Sequence, residues 1–139
     1  MSPQRWNPPE VAPPAGRYSH LAVTPPECEI VFLAGQLGVL PDGTLAGPEA
    51  EAQGRQVFAN IEALLAAAGG EPRHLVKLLT LISGTEHLAG YRAAQAEAFG
   101  RWFPEGDFPA QSLAVVAALA APEYTVEVEA VAAIPRHPS

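Results

Sequence analysis

Glu127 and Glu129 are the residues whose type and spacing first suggest chemistry. They lie in the run Tyr124-Thr125-Val126-Glu127-Val128-Glu129-Ala130 near the end of the chain. In an extended strand Thr125, Glu127 and Glu129 share one face, and Tyr124, Val126, Val128 and Ala130 share the other. The two carboxylates are then roughly 7 Å apart on the same side. A carboxylate held this way can orient a water or a polar group of a substrate; a solvated strand face or a subunit contact would use the same residues. Upstream, Phe108-Pro109-Ala110-Gln111-Ser112-Leu113-Ala114-Val115-Val116 is rich in small and β-branched residues. It reads as a second strand joined to the last through residues 117–123, which would bring Gln111 near Glu127.

Other reactive side chains are scattered. His20 shares a face with Tyr18 in an extended segment and is a candidate base; a surface or interface histidine is the plainer reading. Cys28 is the single cysteine and has no activating base beside it in sequence, so it reads as an inert thiol. His74 and His87 read as loop and helix-start residues, and Tyr91 and Trp102 as core. No His, Cys, Asp and Glu cluster has metal-ligand spacing, so no metal is expected. The glycine pairs do not resemble phosphate-cradling loops.

These residues need a scaffold. Residues 1–14 are polar and proline-rich and read as a loosely ordered arm; residues 15–135 read as one domain, and 136–139 as a short tail. Residues 17–23 alternate weakly and suit a first strand, broken at Pro25-Pro26-Glu27. Residues 30–33 read as a buried strand running into Gly35. Residues 48–68 carry Val57, Ile61, Leu64 and Ala68, widened by Phe58 and Leu65, at helical spacing. Pro48 suits that helix's first turn and Gly69-Gly70 its end. Residues 75–82 are apolar on both faces, as in a buried central strand. Ser83-Gly84-Thr85-Glu86 matches a capping box for a second helix running to about Phe103. The order is strand, strand, helix, strand, helix, strand, strand: an α+β fold, a mixed sheet with two helices on one face. The uncovered face predicts self-association.

The bulk properties narrow the classes. A chain of 139 residues with 48% hydrophobic and 17% charged residues suits one domain with a real core. The formal charge of -7 gives no counterion-release term for nucleic acid, so nucleic acid is not an expected partner. A lone cysteine fits a reducing compartment. No basic-then-apolar leader and no long apolar run is present, so a cytoplasmic protein without a membrane partner is expected.

Several motifs come in a set order: Arg17-Tyr18-Ser19, Ala34-Gly35-Gln36-Leu37, Gln53-Gly54-Arg55-Gln56-Val57, Ala59-Asn60-Ile61, Ala67-Ala68-Gly69, Val76-Lys77, Phe108-Pro109-Ala110-Gln111-Ser112, and the run from Val126 to Ala132. In order and spacing the chain resembles the reactive-intermediate-deaminase family (Rid, or YjgF-like) from about Ala12 to Ile134. The resemblance implies a chorismate-mutase-like fold and a homotrimer with pockets between subunits. It implies no cofactor, and a small-molecule metabolite as partner. The best-known branch hydrolyses enamine or imine intermediates such as 2-aminoacrylate to 2-keto acids and ammonia.

That chemistry needs a fixed cation for the substrate carboxylate and a group that orients water toward the C=N carbon. The resemblance puts the water-positioning glutamate at Glu127, a pocket tyrosine at Tyr18 and a pocket-bordering glycine at Gly35. It also shows departures. The carboxylate-clamping arginine of a Pro-Ala-Arg-Ser pattern is Gln111, and the small thiol two positions later is Leu113. An asparagine on the second helix is Arg92, and the proline before the tyrosine is Arg17. A neutral amide replaces a charge-assisted bond of roughly 1.5–3 kcal/mol by one of about 1. The exchange argues against the usual 2-aminoacrylate route and leaves Arg92 as a candidate relocated cation. The expected activity is hydrolysis of a small enamine, imine or related activated C–N metabolite. The alternatives are a non-catalytic metabolite-binding trimer with a regulatory role and, as a minor one, endoribonuclease or translation-inhibitor action.

Overall fold

A stripe of Val57, Phe58, Ile61 and Leu65 drives the first helix, α1 (Ala50–Ala67), against the sheet, and all four are buried. Fully burying a side chain of this size contributes roughly 1.5–3 kcal/mol. In the computed structural model, which describes residues 2–136, the remaining elements are β1 (Gln4–Trp6), β2 (Leu21–Val23), β3 (Cys28–Leu37), β4 (Leu75–Ser83), α2 (Leu88–Trp102), β5 (Ala110–Val116) and β6 (Val126–Pro135). The expected tail at 136–139 lies outside the described residues from 137 onward.

The main sheet has the order β3-β6-β4-β5. β6 runs antiparallel to both β3 and β4, whereas β5 runs parallel to β4. This is the α+β arrangement read from the sequence, with α1 and α2 packed together over one face. Val126, Val128, Ala130 and Ala132 of β6 and Leu78, Thr80 and Ile82 of β4 point into that covered face and are buried. Alternation sends Glu127, Glu129, Lys77 and Leu79 to the other face. The helices approach closely because small residues meet there: a Cβ on Gly54 would lie 2.8 Å from that of Ala94. Aromatic rings fill the far end of the core, with Phe99 in edge contact with Phe103 at 5.2 Å and with Phe58 at 5.9 Å. Tyr91 is buried as expected, while Trp102 is only half-buried and donates its Nε1–H to Glu62 at 3.0 Å.

The structure corrects several expectations. The last two strands are not neighbours, because β4 lies between β5 and β6. A parallel partner is reached through a helix crossover, which local patterning does not reveal. The segment 30–33 is not buried on both faces: Phe32 is 77% exposed and Ile30 is also exposed. Residues 1–14 are not a loose arm throughout, since β1 pairs antiparallel with β2. Arg5 anchors that strand. Its side chain is 1% exposed and donates to the Arg73 carbonyl at 2.8 Å, the Leu75 carbonyl at 2.7 Å and Asp107. Of the expected strand at 17–23, only Leu21–Val23 is extended into a ladder. The Ser83 capping box does not form; Ser83 ends β4 and donates to the Tyr124 carbonyl at 2.9 Å, and a 3₁₀ turn at Thr85–His87 precedes α2. Pro48 stands outside the first turn, with Glu49 at the N-cap.

Candidate functional site

β5 is the outer strand of the sheet, bridged beyond its own ladder only where Ser19 meets Ala110. Its free edge forms one wall of a groove of about 540 Å³, lined by Tyr18, Ser19, His20, Lys77, Ala110, Gln111, Ser112 and Leu113. A second, more apolar hollow of about 630 Å³ lies on the uncovered face, where Phe32, Leu79, Glu129 and Val131 are among its walls. Lys77 and Ser112 line both cavities and join them. The Lys77 ammonium donates to the Ser112 hydroxyl at 2.9 Å.

Tyr18 and His20 stand at one end of the groove, rings edge to face with centroids 5.7 Å apart. The Tyr18 hydroxyl oxygen accepts from the Ala15 N–H at 3.2 Å, which leaves its own hydrogen free to donate. His20 Nε2 lies 2.7 Å from the Ala12 carbonyl. A carbonyl only accepts, so that nitrogen carries the hydrogen and Nδ1 of the neutral ring is left as an acceptor. The turn bearing both rings is tied to the first strand's exit through the His20 N–H, which donates to Asn7 Oδ1 at 2.7 Å.

Gln111 lines the groove but faces the helices. In register it pairs with Leu78, a residue buried on the covered side. Its Oε1 accepts from Gln95 Nε2 at 3.3 Å. The Tyr91 hydroxyl lies 3.0 Å from Thr80 Oγ1. Burial pushes the Tyr91 phenol up to about 12, so it serves as a neutral hydroxyl. Leu113 shares the Gln111 side of the strand, is exposed, and makes that part of the groove apolar.

Glu127 sits on the opposite face of the sheet. It pairs with Leu81 on β4 and Leu37 on β3. Its carboxyl packs flat on the backbone of Gly35: a Cβ at position 35 would collide with the carboxylate, whose Cδ would be only 2.9 Å away. Gly35 is therefore needed for the space it leaves, not for an unusual backbone angle. The expectation that Gln111 lies near Glu127 does not hold within one chain, because strand alternation points the two side chains to different sides of the sheet. Arg92 is exposed on α2, one helical turn before Gln95, and does not line the groove. It makes no ion pair among the described residues.

Sequence reasoning missed Lys77, Ser112, Gln95 and Arg5. Lys77 left a signal, as the one charge in the apolar run 75–82. Gln95 left none, since its partner is sixteen residues away on another element. Among the described residues no three His, Cys, Asp or Glu side chains are grouped to hold a metal ion. No helix among them is long and apolar enough to cross a membrane.

A mixed sheet backed by two helices, a groove at its outer strand and a glutamate nested on a glycine define a class of small-domain proteins. The model of the endoribonuclease L-PSP family matches residues 9–134, and the chain belongs to that family, which is also known as the Rid or YjgF/YER057c/UK114 family. The Rid-family protein YyfB from Yersinia pestis is 31% identical, with a TM-score of 0.83 covering 96% of this chain and 100% of that one. Rv2704 from Mycobacterium tuberculosis is 28% identical, with a TM-score of 0.62 over 76% of this chain and 79% of its own. Protein HMF1 of Saccharomyces cerevisiae is 31% identical over 119 residues, 86% of this chain and 85% of its own. The YjgF-like fold expected from the sequence is thus the fold observed.

Proposed function

We propose that the protein is a Rid-type hydrolase of a small enamine, imine or related activated C–N metabolite, working as a homotrimer. The observation that carries this reading is the Glu127 carboxylate, fixed against Gly35 on a sheet face that the chain leaves uncovered. Phe32, at 77% exposure on that face, is an aromatic surface that another copy would bury. A neighbouring copy can also bring its β5 groove, with Tyr18, Gln111 and Leu113, up to Glu127, which one chain alone keeps apart. In the reaction Glu127 accepts a proton from water as the water oxygen bonds to the C=N carbon. Glu127 passes that proton to the nitrogen, giving a carbinolamine; the carbinolamine hydroxyl then loses its proton to the nitrogen as the C–N bond breaks, ammonia leaves and a carbonyl remains. Overall one water is consumed and one ammonia released, and the step needs no oxidant, reductant or cofactor. The free thiol of Cys28 suits a reducing, cytoplasmic setting.

Assays coupled to imine-generating oxidases or dehydratases test the reading, with Glu127→Ala beside wild type. Loss of ammonia release in the variant is the expected result; equal rates in the two would remove Glu127 from the mechanism.

One observation favours a second reading, a metabolite-binding trimer without turnover. Gln111 spends its amide oxygen on Gln95, so the position that the resemblance assigns to the substrate clamp is turned inward here. A ligand-induced rise in melting temperature without product would support it. Gain of imino-acid deaminase activity in Gln111→Arg would show that the scaffold lacked only the clamp. Ribonuclease action, which the family's description suggests, is disfavoured by the charge of -7 and would show itself as steeply salt-dependent RNA binding.

A further inference from the structure

We infer that Lys77, with Ser112, is the anion-holding pair of this groove and makes it selective for a small monoanion. The inference rests on the groove being the substrate end of the proposed hydrolase. Position 111, where the resemblance implies a guanidinium, holds a neutral amide that is bonded inward. Arg92, the alternative cation, lies outside the groove. Among the described residues Lys77 is the one permanently charged side chain lining it, and no carboxylate shares that lining. In a chain of charge -7, a groove with a lysine and no acid is a local reversal of sign.

The geometry supplies more than a charge. Lys77 and Ala110 pair in register, so Ser112 lies diagonally across on the same face and its hydroxyl meets the ammonium at 2.9 Å. The serine oxygen uses one acceptor site on that bond, which leaves its hydrogen to donate. Lysine keeps two further hydrogens. A carboxylate placed between them receives two bonds from groups already oriented toward one another, with little side-chain ordering still required. Glu129 stands in the adjoining hollow, beyond Lys77. It repels a second negative charge and so disfavours dianions.

Binding of pyruvate, methyl pyruvate and 2-oxoglutarate to the full chain, followed by NMR shifts of the 110–113 amides, tests this. Pyruvate should bind better than its neutral ester and better than the dianion. Lys77→Met should weaken pyruvate about tenfold or more, Lys77→Arg should keep most of the affinity, and Arg92→Met should change nothing. Lys77 is exposed, and unfolding curves confirm that its variants fold. The inference is overturned if pyruvate binds no better than methyl pyruvate, if no probe binds, or if Arg92→Met rather than Lys77→Met removes binding. Failure of the hydrolase reading looks different: Glu127→Ala then turns over substrate like wild type while pyruvate binding still depends on Lys77.

Discussion

On the helix-covered side of the sheet polar side chains bond to one another; on the open side Glu127 and Glu129 have no side-chain partner among the described residues. Thr80 and Tyr91, both buried, bond each other, and buried Gln95 donates to the half-buried Gln111. Glu127 has a shaped seat on Gly35 but no hydrogen-bond donor among the described side chains, and Glu129 no ion pair within reach. A buried polar network left half-satisfied would cost more than an apolar core, so the covered side must be complete before anything else can be stable. The open side carries no such constraint and can keep its polar atoms for a ligand or a second copy. Function therefore belongs where hydrogen bonding is unfinished, and Gln111, although expected from the resemblance to meet substrate, belongs largely to the finished side.

The contrast can be broken by substitution. Tyr91→Ala on the covered side should cost about 3–5 kcal/mol, as for other large buried aromatics, measured by urea unfolding; a loss under about 1 kcal/mol would mean that the network is not part of the fold's stability. Glu127→Ala should leave unfolding within about 0.5 kcal/mol of wild type, yet cut turnover by about 100-fold or more. Tyr91→Phe isolates the hydroxyl and should cost about 1–2 kcal/mol, with Thr80→Val recovering part of it in the double variant.

The smallest effect concerns His74, buried in the turn that leads into β4 and outside the sheet's polar set. Its Nδ1 accepts from the Glu71 N–H at 3.0 Å, while Nε2 is buried without a partner. Burial first, and the charge of Arg73 second, hold its pKa below the ordinary value, so the folded state keeps the ring neutral. The unfolded chain takes up the proton more readily. The contribution is therefore full above the unfolded pKa, near 6.5, and is lost as pH falls through that value toward the lower folded one. Stability measured at pH 8 and pH 5.5 should fall less in His74→Gln than in wild type. Equal losses would show that the buried ring carries no linkage.

Much of this division could be read from the residues. The stripe on α1 and the alternation of β6 are local patterns, and each fixes which side of its element is buried. Glu127 was found that way, because its own strand carries the phase. Gln111 was not: β5 has small and apolar residues on both faces, so nothing in its run says which side points to the helices. Strand order was equally hidden, since the β4–β5 pairing joins residues more than thirty positions apart. Arg5 looked like part of a loose arm because its partners are carbonyls near residues 73, 75 and 107, which composition does not reveal. The Ser83 capping box failed because Ser83 was already committed to β4 and its hydroxyl to Tyr124.

Sedimentation equilibrium on the full chain at micromolar concentration bears most directly on the shared site. A species near three times the 14.6 kDa chain mass is the predicted result. A stable species at 14.6 kDa would contradict it, because one copy holds Glu127 and Gln111 on opposite faces of a single sheet and has no second groove to offer.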